Sequence, residues 1–168
     1  MQKRAVLYVL MLAMTVGLSA CGFQLRGADG SATLPFRTIY LTTPDTSSLG
    51  NELKRYIGAT GVTAVTDQPK AAEAIIELLS EARGKTVLSL NTQGRVREYS
   101  LLYKVRFRVT DSLGKELLVP TEIVLKREIG FNEAQVIAKE QEEELLYRDM
   151  QSDLVQQILR RLAALKPA

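Results

Sequence analysis

The sequence predicts an α+β domain, a two-layer sandwich in which two helices cover one face of a mainly antiparallel sheet. Three observations carry this. Between residues 99 and 109 every odd position is apolar: Tyr99, Leu101, Tyr103, Val105, Phe107 and Val109. Ser100, Lys104, Arg106 and Arg108 occupy even positions, and Leu102 alone breaks the rule. Successive side chains point to opposite faces of a strand, so this run has one buried and one wet face. A second alternating run follows after a turn. Two other stretches, at 47–57 and 132–165, carry apolar residues at helical spacing, and such helices bury their stripe against one side of the sheet.

Taken in order, residues 36–42 (Phe-Arg-Thr-Ile-Tyr-Leu-Thr) have the β-branched and aromatic content of a strand, which Pro44-Asp45 breaks. A helix follows, with Ser47 or Ser48 as N-cap and Leu49, Leu53, Tyr56 and Ile57 on one face, and Gly58 or Gly61 ends it. Residues 71–83 read two ways. Ala72, Ile75, Ile76, Leu79 and Ala82 fit a helical stripe, and the Ala and Glu content favours helix. In steps of two, Ala74, Ile76, Leu78 and Ala82 equally face a core. Local sequence leans to the helix.

After the strand at 99–109, Asp111-Ser112-Leu113-Gly114-Lys115 is a turn. The next strand points Ile123, Leu125, Ile129 and Phe131 inward, with Glu122, Lys126 and Glu128 outward. Pro120 sits near its start, where a missing donor is tolerable. Asn132 caps a long helix, and Gln135 is placed to complete the cap. The helix stripe of Leu146, Met150, Leu154, Ile158, Leu162 and Leu165 reads as core. Pro167 closes the chain, and no internal repeat is visible.

The first twenty residues have a different character. Lys3 and Arg4 precede an apolar run at 5–16, and the small residues Gly17, Ser19 and Ala20 stand just before Cys21. That is the layout of a secretory signal, with an apolar core too short to span a bilayer. Leu18-Ser19-Ala20-Cys21 resembles the bacterial lipobox, which implies cleavage before Cys21 and covalent S-diacylglycerol and N-acyl groups on it. A secreted protein with a stray cysteine is the plainer alternative. Against it, Cys21 is the only cysteine in the chain and cannot form an internal disulfide. Gly22 in place of Asp implies sorting to the outer membrane, where several acyl chains anchor firmly, at roughly 0.8 kcal/mol per buried methylene. The expected organisation is a signal at 1–20, a lipidated tether at 21–34 and a periplasmic domain at 35–168.

Without Lys3 and Arg4, the 22 basic and 19 acidic residues become 20 and 19, a mature net charge of +1. The pI near 9.0 is therefore no sign of a nucleic-acid partner. The chain has no histidine and no tryptophan. That excludes His-based acid–base catalysis, Ser-His and Cys-His nucleophile pairs and the usual zinc constellations. Carboxylate chemistry survives as an option, but the Glu residues read as solvated faces. No enzyme and no cofactor is expected.

Three stretches then point one way: Cys21-Gly22-Phe23-Gln24-Leu25-Arg26-Gly27, Gly94-Arg95-Val96-Arg97-Glu98-Tyr99, and Ala138-Lys139-Glu140. With the order of elements, they resemble the LPS-assembly lipoprotein family LptE of Gram-negative bacteria, over essentially the whole mature chain. The resemblance implies a four-stranded sheet on two helices, with a strand at Ala74–Leu90 paired to Val96–Thr110 across a turn at 91–94. It also implies a large outer-membrane barrel, LptD, as one-to-one partner, plugged by this domain, and lipopolysaccharide as the lipid handled.

The same resemblance points to cations near the hairpin and in the Ala-Lys-acid stretch as lipopolysaccharide contacts. Lys139 matches the latter. At the hairpin this sequence departs from the family pattern, with Thr92 or a neighbour where an Arg is expected, and Arg95 and Arg97 are the nearest cations. Arg suits phosphate because its planar fork matches two oxygens. Lys104, Arg106 and Arg108 read as the wet face of a strand, or as barrel contacts together with Thr92. Glu140 and residues 142–144 read as a wet helix surface, with Lys139 and Glu143 an i,i+4 pair. A domain of 148 residues has a radius of gyration of roughly 15 Å, so a barrel holding it needs about 22 strands or more. Strands of about 15 residues reach roughly 50 Å, so the hairpin can project past the domain body into such a lumen. A generic periplasmic scaffold docking through its sheet edge is the alternative.

Overall fold

The alternating run at 99–109 becomes the middle of a sheet. In the computed structural model, which describes residues 34–44, 46–59 and 61–166, it lies within strand β4 (Val96–Thr110). Strands β3 (Ala74–Leu90) and β5 (Glu116–Gly130) flank it, both antiparallel. Strand β1 (Thr38–Thr42) runs parallel to the start of β3, from Ile39 opposite Ala74 to Thr42 opposite Glu77. The two-residue β2 (Ala64–Val65) runs parallel to β1, which gives the order β2-β1-β3-β4-β5. The signal, Cys21, the tether up to residue 33 and Pro167 lie outside the described residues.

The expected four strands are thus corrected to five, and the sheet is partly parallel. The reason is local. Helix α1 (Ser48–Ala59) carries the chain from β1 back to β2, and a helical crossover joins strands that run the same way. Two residues show no alternation, so β2 is invisible to periodicity.

One face of the sheet is covered by α1 and by α2 (Val136–Ala163). Leu101, Tyr103, Val105, Phe107 and Val109 of β4 are fully buried there with Leu49, Met150, Leu154, Ile158 and Leu162. Burying a side chain of this size contributes about 1.5–3 kcal/mol. Ser47 is the N-cap of α1, its hydroxyl accepting from the Gly50 N–H at 2.9 Å. Gly50 itself lies against β1's end, where a Cβ would meet Thr43 Oγ1 at 2.7 Å. The helix passes through Gly58, and Gly61, at φ +67°, takes the left-handed conformation beyond it.

Residues 74–90 are a strand, as the family likeness implies and against the local preference for helix. Long-range pairing to β1 and β4 overrides the propensity of Ala and Glu. The alternation is obscured by a register shift between Leu78 and Ser80. Ala74 and Ile76 face the core, but after the shift Glu81, Arg83 and Lys85 take the helix side, and Ala82 is exposed rather than inward. Asn132 caps a 3-10 turn (Glu133–Gln135), accepting from the Ala134 N–H, and Gln135 makes no capping bond. The expected capping box is absent because that turn comes before the α-helix. In α2 the first buried side chain is Tyr147, and the earlier turns of the helix lie along the hairpin end of the sheet, where Val136, Lys139 and Glu143 meet Tyr99 and Phe131.

Candidate functional site

The hairpin joining β3 to β4 is set by a short pattern used twice. Asn91 Oδ1 accepts from the N–H groups of Gln93 (3.0 Å) and Arg95 (2.9 Å), and Gly94 sits at φ +76°. Asp111 does the same for Leu113 (2.9 Å) and Lys115 (2.8 Å), with Gly114 at φ +86°. An acceptor side chain, two residues, a left-handed Gly and a cation thus close both turns. Thr92 is exposed at the tip of the first.

Beneath that tip two cavities adjoin, with Phe131 lining both. The smaller, about 150 Å³, is walled by Tyr99, Phe131, Val136, Lys85, Lys139 and Glu143. The larger, about 330 Å³, has Asn91, Arg95, Val96 and Glu133 on its walls. Tyr99 meets Phe131 edge to face at 5.3 Å between centroids. The Arg97 carbonyl accepts the Phe131 N–H at 2.7 Å, which places that cation's backbone beside the shared wall. Arg95 and Lys139, distant in sequence, therefore meet at one end of the molecule, with exposed Arg97 next to them.

Lys85 is the cation that sequence reasoning missed. Its Nζ lies 4.2 Å from the Tyr99 ring centroid and 2.5 Å from Glu143 Oε2. A lone Lys inside a strand gives no signal until the bulge near Leu78 is known to turn odd positions toward α2. Lys85 also explains why the expected Lys139–Glu143 pair does not form. Glu143 is taken by Lys85, and Lys139 pairs with Glu142 at 2.7 Å instead. Arg95 pairs with Glu133 at 3.3 Å, and Arg97 makes no ion pair among the described residues. Each pair is at least partly exposed, where such contacts contribute at most about 1 kcal/mol. An anion with stronger acceptors can displace these carboxylates, and the aromatic and aliphatic walls offer a place for an alkyl chain. The chemistry suits an amphiphile with an anionic head.

This end is tied to the core by a polar network. Arg83 stacks over Tyr103 (4.8 Å) and Tyr147 (5.3 Å) and donates to Gln151 Oε1 at 2.9 Å. Tyr103 donates its hydroxyl to Glu81, which also accepts from Ser47 at 2.6 Å. Gln151 in turn donates to Glu52 at 2.6 Å, and Tyr147 donates to the Gly84 carbonyl at 2.7 Å. Burial first, then the hydrogen bond to Glu81, pushes the Tyr103 hydroxyl from 10.0 up to about 12. Burial also raises Tyr147.

Lys104, Arg106 and Arg108 lie together on the uncovered face of the sheet, away from these cavities. Lys104 and Arg106 are exposed, between Ala82 and Val124 and between Ser80 and Glu122. Arg108 is half-buried and bound to Glu77 at 2.7 Å, so it is a paired structural cation. No group of three or more metal-ligating side chains occurs among the described residues. No helix among them is long and apolar enough to cross a membrane.

Residues 36–162, which hold the whole sheet and nearly all of α2, match the family model of LptE, lipopolysaccharide-assembly. The chain belongs to the LptE family. Relatives include the LPS-assembly lipoprotein LptE of Pectobacterium atrosepticum, 23% identical over 93% of this chain and 84% of that one. The LptE of Yersinia enterocolitica is likewise 23% identical, over the whole chain and 80% of its own length. Among solved structures, uncharacterized lipoprotein B of Nitrosomonas europaea is 43% identical, with a TM-score of 0.74 over 85% of this chain and 91% of that chain. Rare lipoprotein B of Shewanella oneidensis gives 26% identity and a TM-score of 0.67, over 76% of this chain and 94% of that chain. Membership places the chain among non-enzymatic lipopolysaccharide-assembly lipoproteins.

Proposed function

We propose that this lipoprotein, acylated at Cys21 and anchored in the outer membrane, partners the large barrel LptD as a plug and helps pass lipopolysaccharide to the outer leaflet. The observation that carries the lipid part is the meeting of Lys85, Arg95 and Lys139 on the walls of the Tyr99–Phe131 cavities, with the backbone of exposed Arg97 bonded to Phe131 beside them. Lipid A combines phosphates with acyl chains, and this end combines displaceable cations with apolar walls. Arg95 and Arg97 supply forked donors, and Lys85 and Lys139 supply point charges. For the plug, the support is the family and the uncovered sheet face, whose Lys104 and Arg106 would meet a polar lumen while Thr92 at the tip reaches deepest.

Binding of lipopolysaccharide by the full-length chain, at matched ionic strength, tests the lipid reading. Arg95→Glu, Arg97→Glu and Lys139→Glu together should weaken it about tenfold or more with thermal stability nearly kept, because Arg95 and Arg97 are exposed and half-buried Lys139 lies outside the core. Parent-like affinity in the triple variant refutes the assignment. For the partner, photo-crosslinkers at Thr92 and Lys104 should both capture one large barrel protein. Capture of periplasmic soluble proteins alone refutes the plug and favours a scaffold. Mass spectrometry of the mature N-terminus decides the anchor, since an unmodified Cys21 ends that claim.

A further inference from the structure

The two cavities at the hairpin end share one wall. Opposite the hairpin, a single stretch of chain closes both, with Phe131, Glu133 and Ala134 on the larger and Phe131, Val136 and Glu143 on the smaller. This stretch is moored at two points. The Phe131 N–H donates to the Arg97 carbonyl at 2.7 Å, and the Tyr147 hydroxyl donates to the Gly84 carbonyl at 2.7 Å. Between the moorings, from residue 132 to 146, no side chain is buried. Val136 and Ile137 are 40% and 74% exposed, so little apolar area holds the stretch down. Charge holds it instead. Glu133 binds Arg95 at 3.3 Å and Glu143 binds Lys85 at 2.5 Å, and each of these pairs reaches across to the hairpin. The Lys139–Glu142 pair lies within α2 and fastens nothing to the sheet.

We propose that residues 132–146 form a strap latched over the two cavities by Glu133 and Glu143, and that an amphiphile carrying a phosphate opens it by taking Arg95 and Lys85 from those carboxylates. The inference rests on the reading of these cavities as the lipid site and adds how that site opens. A phosphate is drawn by the same positive charges that hold the carboxylates, and it brings three acceptor oxygens against two. Once it is seated, Glu133 and Glu143 face it as like charges. The attraction that closed the strap becomes a repulsion that lifts it. Lifting uncovers Tyr99, Ile129 and Val136, an apolar surface for the alkyl chain behind the head. When the lipid leaves, the carboxylates recover their cations and the walls close, which suits a protein that hands its ligand on.

The test uses the full-length chain in neutral detergent, with lipopolysaccharide as the probe at matched ionic strength. Glu133→Gln with Glu143→Gln removes the latch and keeps the shape of both side chains. This variant should bind about fivefold more tightly than the parent, and without lipid its amides at 137–146 should exchange roughly fivefold faster. Glu140→Gln with Glu144→Gln makes the same charge change in the same stretch, where neither acid has an ion pair among the described residues. That control should move both readouts by less than about twofold. Spin labels at Gln93 on the hairpin and Gln141 on the strap should separate by roughly 5 Å, the spacing of packed chains, when the parent takes up lipid. Equal shifts from the two pairs of substitutions, or an unchanged label distance in the lipid-bound parent, overturn the strap and leave the lipid reading standing. No binding by the parent or by either variant overturns both together.

Discussion

At one end of the sheet β4 presents Val105, Phe107 and Val109, all fully buried against the two helices. At the other end the same strand presents Tyr99, half-buried under Lys85 and Phe131 among ion pairs that water can reach. The apolar end is held by area removed from water, which no ligand can replace without unfolding it. The hairpin end is held by directional contacts between charged and aromatic groups, each of which can be exchanged for another partner of the same chemistry. A binding site belongs at the second kind of end, because rearranging it costs about as much as a surface ion pair rather than a core residue.

The sharpest test of that contrast is Phe107→Ala against Tyr99→Ala. The first should cost about 3–5 kcal/mol in urea unfolding and the second clearly less, because only the first leaves a closed cavity. Equal losses would erase the distinction between the two ends. Next in size, Arg83→Met should cost roughly 1–3 kcal/mol, since it takes one donor from Gln151 Oε1, which keeps the Ser48 hydroxyl at 2.7 Å, and removes the cation between two rings. A neutral result would show that the polar network is decoration on the core. Gly94→Ala forces a side chain into φ +76° and should cost about 1–2 kcal/mol, with Gly114→Ala similar, both read from midpoint shifts.

Alkaline pH probes the junction between the ends. The Tyr103 hydroxyl is raised to about 12 from 10.0, so its protonated form is favoured by folding. That contribution is fully present below pH 10 and is lost as pH rises toward 12. Thermal midpoints should therefore fall across this window in the parent and fall less in Tyr103→Phe. An identical slope in both would place the alkaline sensitivity elsewhere. Smallest of all, Arg95→Ala and Lys139→Ala should each change stability by under about 0.5 kcal/mol. A larger loss would mean that these cations serve the fold.

The same contrast explains what could be read from the residues alone. Strand β4 and the second half of α2 are legible because each keeps one period and buries one stripe, from Leu101 to Val109 and from Met150 to Leu162. Strand β3 reads as a helix locally because its bulge at Leu78 breaks the two-residue period that would have revealed it. Strand β2 is two residues long and has no period to read. At the site, Arg95, Arg97 and Lys139 are visible through family-like stretches, and the structure brings them to one end. Lys85 is visible in neither way, because its place beside Glu143 and Tyr99 depends on register and on the packing of α2. Arg108 looks the same as Lys104 and Arg106 in the alternation, yet Glu77 across the ladder binds it. Periodicity reports which face a residue takes, and it is blind to who waits there.

The parallel pairing of β1 to β3 carries a consequence for how the chain assembles. Ile39 and Ala74 are thirty-five positions apart and face each other in the ladder. During synthesis, which proceeds from the N-terminus, β1, α1 and β2 emerge with no sheet to join. The meander of β3, β4 and β5, with its two tight turns, closes over short sequence distances and forms quickly once available. Met150, Leu154, Ile158 and Leu162 arrive last, and until then the apolar face of β4 lacks the cover of α2. The last element of the fold to be made is the one that seals the middle strand of the sheet, so a nascent protein truncated before α2 should need a holding chaperone that the finished one does not.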